Sequence, residues 1–512
     1  MSAMKRTETS KAYTILAVLG WLLFTLGVAL ISAMLWELES LNVGISEIIF
    51  TLTNPLDGAD SGIAESIVRS CLPVTLLFSA GYAAVLIRFR GCGKGELLKL
   101  RRPKLRLHAR ALICGTLALV PVATWVLAGA VAEKRFQLSD YVKTRMDKTT
   151  IYEDYYVRPS DTEITARGKP KNLICIYLES METTYTSYDQ GGFQKEDLIP
   201  NLRQLAYDNL SFGTRSGARL GGADNIYGAF YTMGALMAST SGVPCCVPME
   251  DPNTIDEHVN FAAGLENLGT ILESQGYRQE FLCGSDATFG GRRTYFTSHG
   301  NYSVYDYLTA KKTERIPQDY KVWWGFEDKI LYEIAQEQLL TLADSGEPFN
   351  FTMLTADTHF TLGYVCDECD TEKYGETTAA VVECADRQIA AFIEWCRQQS
   401  FYEDTLIVIL GDHPRMDNYL VDGVDSSQRL VYNCFINPAE DVSGLDFSDR
   451  RFSQVDMFPT ILAAMGFDIR GDRLGLGANL LSDQPTLIEQ FGFDWVNTEL
   501  QKTSVFYEKN FY

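Results

Sequence analysis

The chain follows two different hydrophobic patterns. In the first 132 residues apolar positions run together without alternating: residues 12–36 carry almost no charge, residues 72–87 form a second apolar core reaching back towards Gly62, and residues 107–132 form a third. With the second taken back to about residue 63, each run is long enough, as a helix, to cross a hydrocarbon layer of about 30 Å. Three transmembrane helices are therefore expected, at about 12–36, 63–87 and 107–132. From residue 172 the pattern changes. Short runs rich in β-branched and apolar residues, at 172–178, 279–283, 349–355 and 405–410, alternate with amphipathic segments near 262–276, 327–343 and 377–399, and Phe452 to Met465 reads as one more helix. This alternation predicts an α/β fold in which a mostly parallel sheet is covered by helices on both faces.

Charge decides how the spans are threaded. Lys5, Arg6 and Lys11 precede the first span, while Glu37, Glu39, Glu47, Asp57 and Asp60 follow it, so the amino terminus is expected inside. Between the second and third spans Arg88, Arg90, Lys94, Lys99, Arg101, Arg102, Lys104, Arg106 and Arg110 form a basic loop, expected on the cytoplasmic face against anionic lipid. Three crossings then put everything after about residue 133 outside. The expected organisation is a transmembrane domain at 1–132, a juxtamembrane linker at 133–171 with Tyr141, Tyr152, Tyr155 and Tyr156, and an extracytoplasmic domain at 172–512. Residues 41–54 are apolar but too short to span, and are expected as an interfacial or re-entrant piece, with a plain loop packing on the spans as the alternative. The first run is too long, and has too many spans after it, for a cleaved secretory signal. The formal net charge of -21, despite the basic loop, leaves the outer domain strongly acidic and disfavours nucleic acid as a partner.

In parallel sheets ligands gather beyond the carboxyl ends of the strands, and here those ends carry chemistry. The 172–178 run ends at Glu179-Ser180, the 405–410 run passes through Gly411 to Asp412-His413, the 349–354 run leads to Asp357-Thr358-His359, and the 280–283 run leads through Gly284 towards Arg292 and Arg293. The glycine-rich stretch from Gly221 passes into a helix-compatible run, which puts Thr232 near a helix amino terminus. Unpaired N–H groups and the helix dipole favour a phosphoryl anion there, although an ordinary helix cap is the plainer reading. Carboxylates, an aspartate–histidine pair and a hydroxyl form a mixed oxygen and nitrogen set suited to a divalent cation.

Of twelve cysteines, Cys71, Cys92 and Cys114 belong to the membrane part, whereas Cys366, Cys369 and Cys384 cluster outside. An oxidising compartment favours a disulfide there, joining Cys384 to Cys366 or Cys369. Trp323 and Trp324 are expected to pack, His299 to cap or pack, and Asp224 and Asp456 to serve as loop or cap carboxylates.

Six segments occur in order: Leu178-Glu179-Ser180-Met181-Glu182-Thr183-Thr184, Tyr231-Thr232-Met233-Gly234-Ala235-Leu236-Met237, Cys283-Gly284-Ser285-Asp286 with Arg292, Trp324-Gly325-Phe326-Glu327-Asp328, Leu354-Thr355-Ala356-Asp357-Thr358-His359 and Gly411-Asp412-His413. The series resembles the membrane-bound phosphoglycerol transferases, the group that includes lipoteichoic acid synthase and the glucan-modifying phosphoglycerol transferase, within the alkaline phosphatase and sulfatase superfamily. It covers nearly the whole outer domain and implies an alkaline-phosphatase/sulfatase-like fold. The resemblance implies that Glu179, Thr232, Asp412 and His413 surround one divalent cation, manganese first, with magnesium or zinc as alternatives. Thr232 would then attack phosphatidylglycerol, expel diacylglycerol and form a phosphoglycerol-threonine intermediate, which a hydroxyl of a lipoteichoic acid-type polymer or a glucan resolves. Arg292 and His359 would bind phosphate oxygens or assist the leaving group. Cys283 departs from the pattern, because the lipoteichoic acid enzymes place a histidine there. The Asp357-Thr358-His359 element, followed by Cys366 and Cys384, looks more like the glucan-modifying branch, so the acceptor stays open.

Three other readings compete. The Ser241-Gly242-Val243-Pro244-Cys245 stretch resembles the phosphoethanolamine transferases. Cys246-Val247-Pro248-Met249-Glu250 approaches the Cys-x-Pro-x-Arg context of a sulfatase, but Glu250 stands where arginine is required. A membrane-tethered binding protein with a retired catalytic domain is the non-enzymatic reading, and the full set of ligand residues weighs against it.

Overall fold

The computed structural model describes residues 2–41, 44–45, 48–49, 61–89, 103–214, 219–246, 261–442 and 444–511. The chain divides into two compact units, residues 1–42 with 61–141, and residues 43–60 with 142–512.

The first unit is built from α1 (Ser2–Ser40), α2 (Ser61–Phe89) and α3 (Pro103–Phe136). Their segments Thr14–Leu38, Glu65–Arg88 and Leu117–Phe136 are long and apolar enough to cross a membrane. Polar groups within these spans find partners in the protein, as a medium without water demands. The Trp21 indole donates to the Ser79 carbonyl, the Trp125 indole to the Leu23 carbonyl, and the Thr25 and Ser79 hydroxyls pair. Arg135 forks onto the Glu37 carboxylate. That pair sets the carboxyl-terminal ends of α1 and α3 on the same side, as an odd number of crossings requires. Most of the 41–54 segment and the middle of the basic loop, with Cys92, lie outside the described residues.

Among the described residues the strands of the second unit are β1 (Ile164–Ala166), β2 (Asn172–Leu178), β3 (Arg278–Cys283), β4 (Ser303–Tyr305), β5 (Phe349–Leu354), β6 (Thr405–Gly411), β7 (Asn433–Ile436) and β8 (Phe467–Ile469), with a two-residue antiparallel pair at Arg473–Leu474 and Gly477–Ala478. Six form the main sheet in the order β4-β3-β5-β2-β6-β7, parallel throughout except that β7 runs antiparallel to β6. β1 pairs antiparallel with β8. The four long strands fall where the apolar runs predict them. The short β4 and β7 are too brief to leave a readable alternation.

The helices that matter for the site are α4 (Pro200–Asp208), α5 (Thr232–Ser241), α6 (Leu268–Ser274), α7 (Arg292–Ser298), α8 (Asp328–Asp344), α9 (Thr378–Arg397) and α10 (Met457–Met465). They cover both faces of the sheet. Leu173, Cys175 and Tyr177 of β2 join one buried cluster with Leu236 of α5, Leu272 of α6 and Ile461 of α10. Ile174, Ile176 and Leu178 join another with Leu202 of α4, Leu339 of α8 and Phe392 of α9. Successive residues of one strand thus serve opposite cores, which is why the run is apolar without alternation. The helix expected at 262–276 is confined to α6, because an Asn267–Thr270 capping box starts it. The helix expected from Phe452 begins at Met457, after a capping box between Ser453 and Asp456.

The stretch read as a linker contributes to the second unit from about residue 142 onward. Ile151 and Tyr152 are each only 2% exposed, and the Tyr152 ring lies against Phe506, Tyr507 and Phe511. Tyrosines set among charges read as polar in sequence, but here aromatic partners far along the chain bury them.

Candidate active site

β2 and β6 are neighbours in register, Leu178 opposite Gly411, so the two strand ends deliver Glu179 and Asp412 side by side. The backbones meet closely: a Cβ on Gly411 would lie 2.0 Å from the Met181 carbonyl oxygen, so only glycine fits. Ser180 turns the chain at once, with φ of 53°, a left-handed conformation that costs a non-glycine residue about 1–2 kcal/mol. Its N–H donates to Asp412 Oδ1 at 2.8 Å and its hydroxyl to Glu179 Oε1 at 2.7 Å, so the turn holds both carboxylates. Thr232 is the first residue of α5, where the preceding Tyr231 offers no side-chain cap. Gly234 lets the preceding loop pass tightly beneath this helix, since a Cβ would come 2.3 Å from the Gly228 carbonyl oxygen.

Four side chains converge. Thr232 Oγ1 lies 3.3 Å from Glu179 Oε2 and 3.5 Å from His413 Nε2. His413 Nε2 lies 3.6 Å from Glu179 Oε1 and 3.4 Å from Asp412 Oδ2. These separations are long for hydrogen bonds but match neighbouring ligands: a tetrahedral shell with bonds of about 2.1 Å has edges of about 3.4 Å. Two further observations fit a cation. Among the described residues, Asp412 Oδ2 is buried without a hydrogen-bond partner. His413 Nδ1 lies 2.9 Å from the Pro414 carbonyl, which can only accept, so Nδ1 carries the hydrogen and the Nε2 lone pair faces the cluster. Burial and the Glu179 charge push the Asp412 carboxyl up to about 7. Burial alone would raise Glu179 as well, but His359, His413 and the Ser180 hydroxyl bring it below its ordinary value. Two buried carboxylates this close need positive charge between them, and Glu179, Asp412 and His413 form a set able to hold a metal ion.

His359 lies on the loop after β5. Its Nδ1 donates to the Phe360 carbonyl at 2.6 Å, Trp324 meets the ring edge-on at 4.7 Å, and burial holds its pKa below the ordinary value. The neighbouring Thr358 hydroxyl donates to the Glu179 carbonyl and Thr355 accepts the Glu179 N–H, so this loop is fastened to the β2 end. Arg292 opens α7. Its guanidinium donates to the Asp286 and Phe289 carbonyls, both at 2.9 Å, and among the described residues no hydrogen bond or ion pair joins it to the four converging side chains. Its loop borders the Thr232 segment, where Gly290 approaches Met233.

Sequence reasoning missed the support beneath. Glu182 accepts Arg429 and the Arg415 N–H, Arg415 forks onto Asp417, and Arg415 Nη1 donates to the Thr358 carbonyl at 2.7 Å. Glu182, Asp417 and Arg415 are almost wholly buried, and the network locks together the segments carrying Glu179, His413 and His359. The only sequence signal was the position of Glu182 and Arg415, each within three residues of a candidate ligand. The other singled-out residues are structural. Trp323 donates to the Ala356 carbonyl, His299 bonds the Tyr295 and Ala262 carbonyls, Asp224 pairs with Arg451, and Asp456 caps its own turn. The expected disulfide is not formed: Cys366, Cys369 and Cys384 are free thiols.

Residues 171–467 match the family described as Sulfatase. That match takes in more than half of the chain, and the chain belongs to the sulfatase family, with the alkaline-phosphatase-like sheet and helical layers described above. Among curated proteins it is similar to Phosphoglycerol transferase I of Xanthomonas axonopodis pv. citri (strain 306), 30% identical over 346 residues, 66% of this chain and 46% of that protein. It is also similar to Phosphoglycerol transferase I of Escherichia coli O139:H28, 29% identical over 450 residues, 86% of this chain and 53% of that protein. The chain thus spans about half the length of the curated relatives it matches. Among solved structures, a protein in the alkaline phosphatase superfamily from Vibrio parahaemolyticus aligns with a TM-score of 0.48 and 21% identity, over 65% of this chain and 76% of that one. The lipoteichoic acid synthase LtaP from Listeria monocytogenes aligns with a TM-score of 0.46 and 16% identity, over 62% of this chain and 79% of that one. With three apolar helices ahead of the sulfatase unit, this is a multi-pass membrane protein.

Proposed function

We propose that this protein transfers phosphoglycerol from phosphatidylglycerol to an acceptor hydroxyl outside the cytoplasm, on a glycan or a glycerol-phosphate polymer, through a covalent intermediate on Thr232. The observation that carries this reading is Thr232 Oγ1 at the start of α5, 3.3 Å from Glu179 and 3.5 Å from His413, beside the buried Asp412. The names of the curated relatives favour phosphoglycerol as the group moved. Membrane helices suit a lipid donor, and the inside-positive flanks of the spans put the catalytic unit outside.

Glu179, Asp412, His413 and Thr232 would hold one divalent cation, manganese, magnesium or zinc. When bound it lowers the pKa of the Thr232 hydroxyl and offsets charge on the phosphoryl group. The Thr232 oxygen forms a bond to phosphorus as the bond to the diacylglycerol oxygen breaks, and the hydroxyl proton ends on that oxygen. We assign this proton transfer to His359, whose Nε2 is unprotonated while Nδ1 donates to Phe360. The α5 amino terminus orients the phosphoryl oxygens. Arg292 joins them by exchanging the Asp286 and Phe289 carbonyls for phosphate. An acceptor hydroxyl then attacks the same phosphorus as the bond from phosphorus to the Thr232 oxygen breaks, and the acceptor's proton passes to that oxygen, which restores the Thr232 hydroxyl.

Mass spectrometry of the full chain incubated with phosphatidylglycerol tests this. The expected result is a glycerol-phosphate adduct on Thr232, absent from Thr232→Ala. Diacylglycerol release at the parental rate by Thr232→Ala would overturn it, and an adduct formed only from phosphatidylethanolamine would change the donor.

A further inference from the structure

A second group of metal-ligand side chains lies apart from the carboxylates. The segment between β5 and α9 carries Cys366 and Cys369, and α9 carries Cys384. Cys366 Sγ is 3.7 Å from the sulfur of Cys369 and 3.7 Å from that of Cys384, and all three sulfurs lie within 4.8 Å of one another. A tetrahedral cation bonded to sulfur at about 2.3 Å sets sulfur-to-sulfur edges of about 3.75 Å. A disulfide would require about 2.05 Å and would leave one of three thiols over. Cys366 and Cys369 close a turn, the Cys369 N–H donating to the Cys366 carbonyl at 3.2 Å. Gln388 Nε2 approaches the Cys366 sulfur at 3.9 Å.

We propose that Cys366, Cys369 and Cys384 bind a thiophilic divalent cation, zinc first, as a site separate from the oxygen and nitrogen cluster. Binding releases the thiol protons to solvent, and the fourth position takes water or a small ligand. Sulfur donors select zinc over magnesium or manganese, so the two sites sort their metals by donor type. The cation would fasten the loop that follows His359 to α9. The three cysteines are then positioning residues for that loop, not catalytic ones.

Cobalt(II) distinguishes the two sites. The full chain in detergent, stripped of metal and loaded with cobalt, is expected to show an intense thiolate-to-cobalt charge-transfer band in the near ultraviolet, and the protein as isolated is expected to contain zinc in stoichiometric amount. Cys384→Ser, or Cys369→Ser at the half-buried position should the first fail to fold, loses the band. Asp412→Asn keeps it. A wild-type protein with three alkylatable thiols and no charge-transfer band would overturn the proposal. So would an intact mass showing two of the three cysteines oxidised to a disulfide, or a band that survives both serine variants. The wild-type spectrum and mass decide without recourse to any variant.

Discussion

Asp412 and Glu280 are the same kind of group in the same sheet with opposite meanings. Each is a buried carboxylate with one oxygen that has no hydrogen-bond partner among the described residues, and burial pushes each up to about 7. Around Asp412 stand His413, Glu179 and Thr232, and its other oxygen accepts the N–H groups of Ser180 and His413. Glu280 lies within β3, and among the described residues Arg278 is the one charge opposing its burial. A displaced carboxyl pKa therefore does not mark a site by itself. Convergence of donors at ligand spacing does.

The comparison breaks most sharply at Asp412. Asp412→Asn removes a ligand charge, and turnover is expected to fall by on the order of a thousandfold or more, together with the metal content of the oxygen and nitrogen cluster. Elemental analysis beside a diacylglycerol-release assay checks both. Arg292→Ala should keep that metal and lose about a hundred- to a thousandfold in rate, since one donor to the phosphoryl group disappears. Unchanged turnover would confine Arg292 to holding its own loop. Gly411→Ala leaves every ligand in place but forces β6 away from Met181. Displacing Asp412 by even a fraction of an ångström is expected to cost about a hundredfold in rate, with a modest loss of thermal stability.

Glu280→Gln should leave the rate alone and change only the pH dependence of stability. The folded protein binds the Glu280 proton more tightly than the unfolded chain, whose carboxyl titrates near 4.5. Its contribution is fully present below that value and lost as pH rises through about 7, at most about 3 kcal/mol. Thermal melting of the full chain should show Glu280→Gln gaining on the parent near pH 8 and matching it near pH 4. A parallel pH profile for the two proteins would mean that Glu280 is solvated after all.

Much of the cluster was legible because strand chemistry is local. Apolar runs that stop at Glu179 and at Asp412-His413 declare both the strand and what it delivers, and the glycine-rich approach to Thr232 declares a helix start. His359 and Arg292 lie on loops, where sequence order does not determine orientation. Arg292 accordingly turned out to bond its own loop's carbonyls. The Glu182–Arg429 pair spans 247 residues, and no local pattern tells which charged residues a fold will bury. An oxidising compartment favours a disulfide among the three thiols, whereas their sulfur-to-sulfur separations of 3.7 Å fit a shared cation.

The seam near Tyr152 orders events in time. Lys148 bridges to Thr503, the Thr149 hydroxyl bonds Glu499, and Tyr152 packs among Phe506, Tyr507 and Phe511. During synthesis the amino-terminal half of this seam emerges first and waits for partners about 350 residues behind it. Until then Tyr152 has no aromatic neighbours to cover it. A chain cut short before residue 499 would carry that uncovered face permanently, as a visible mark of incompleteness to any protease that samples exposed apolar surface.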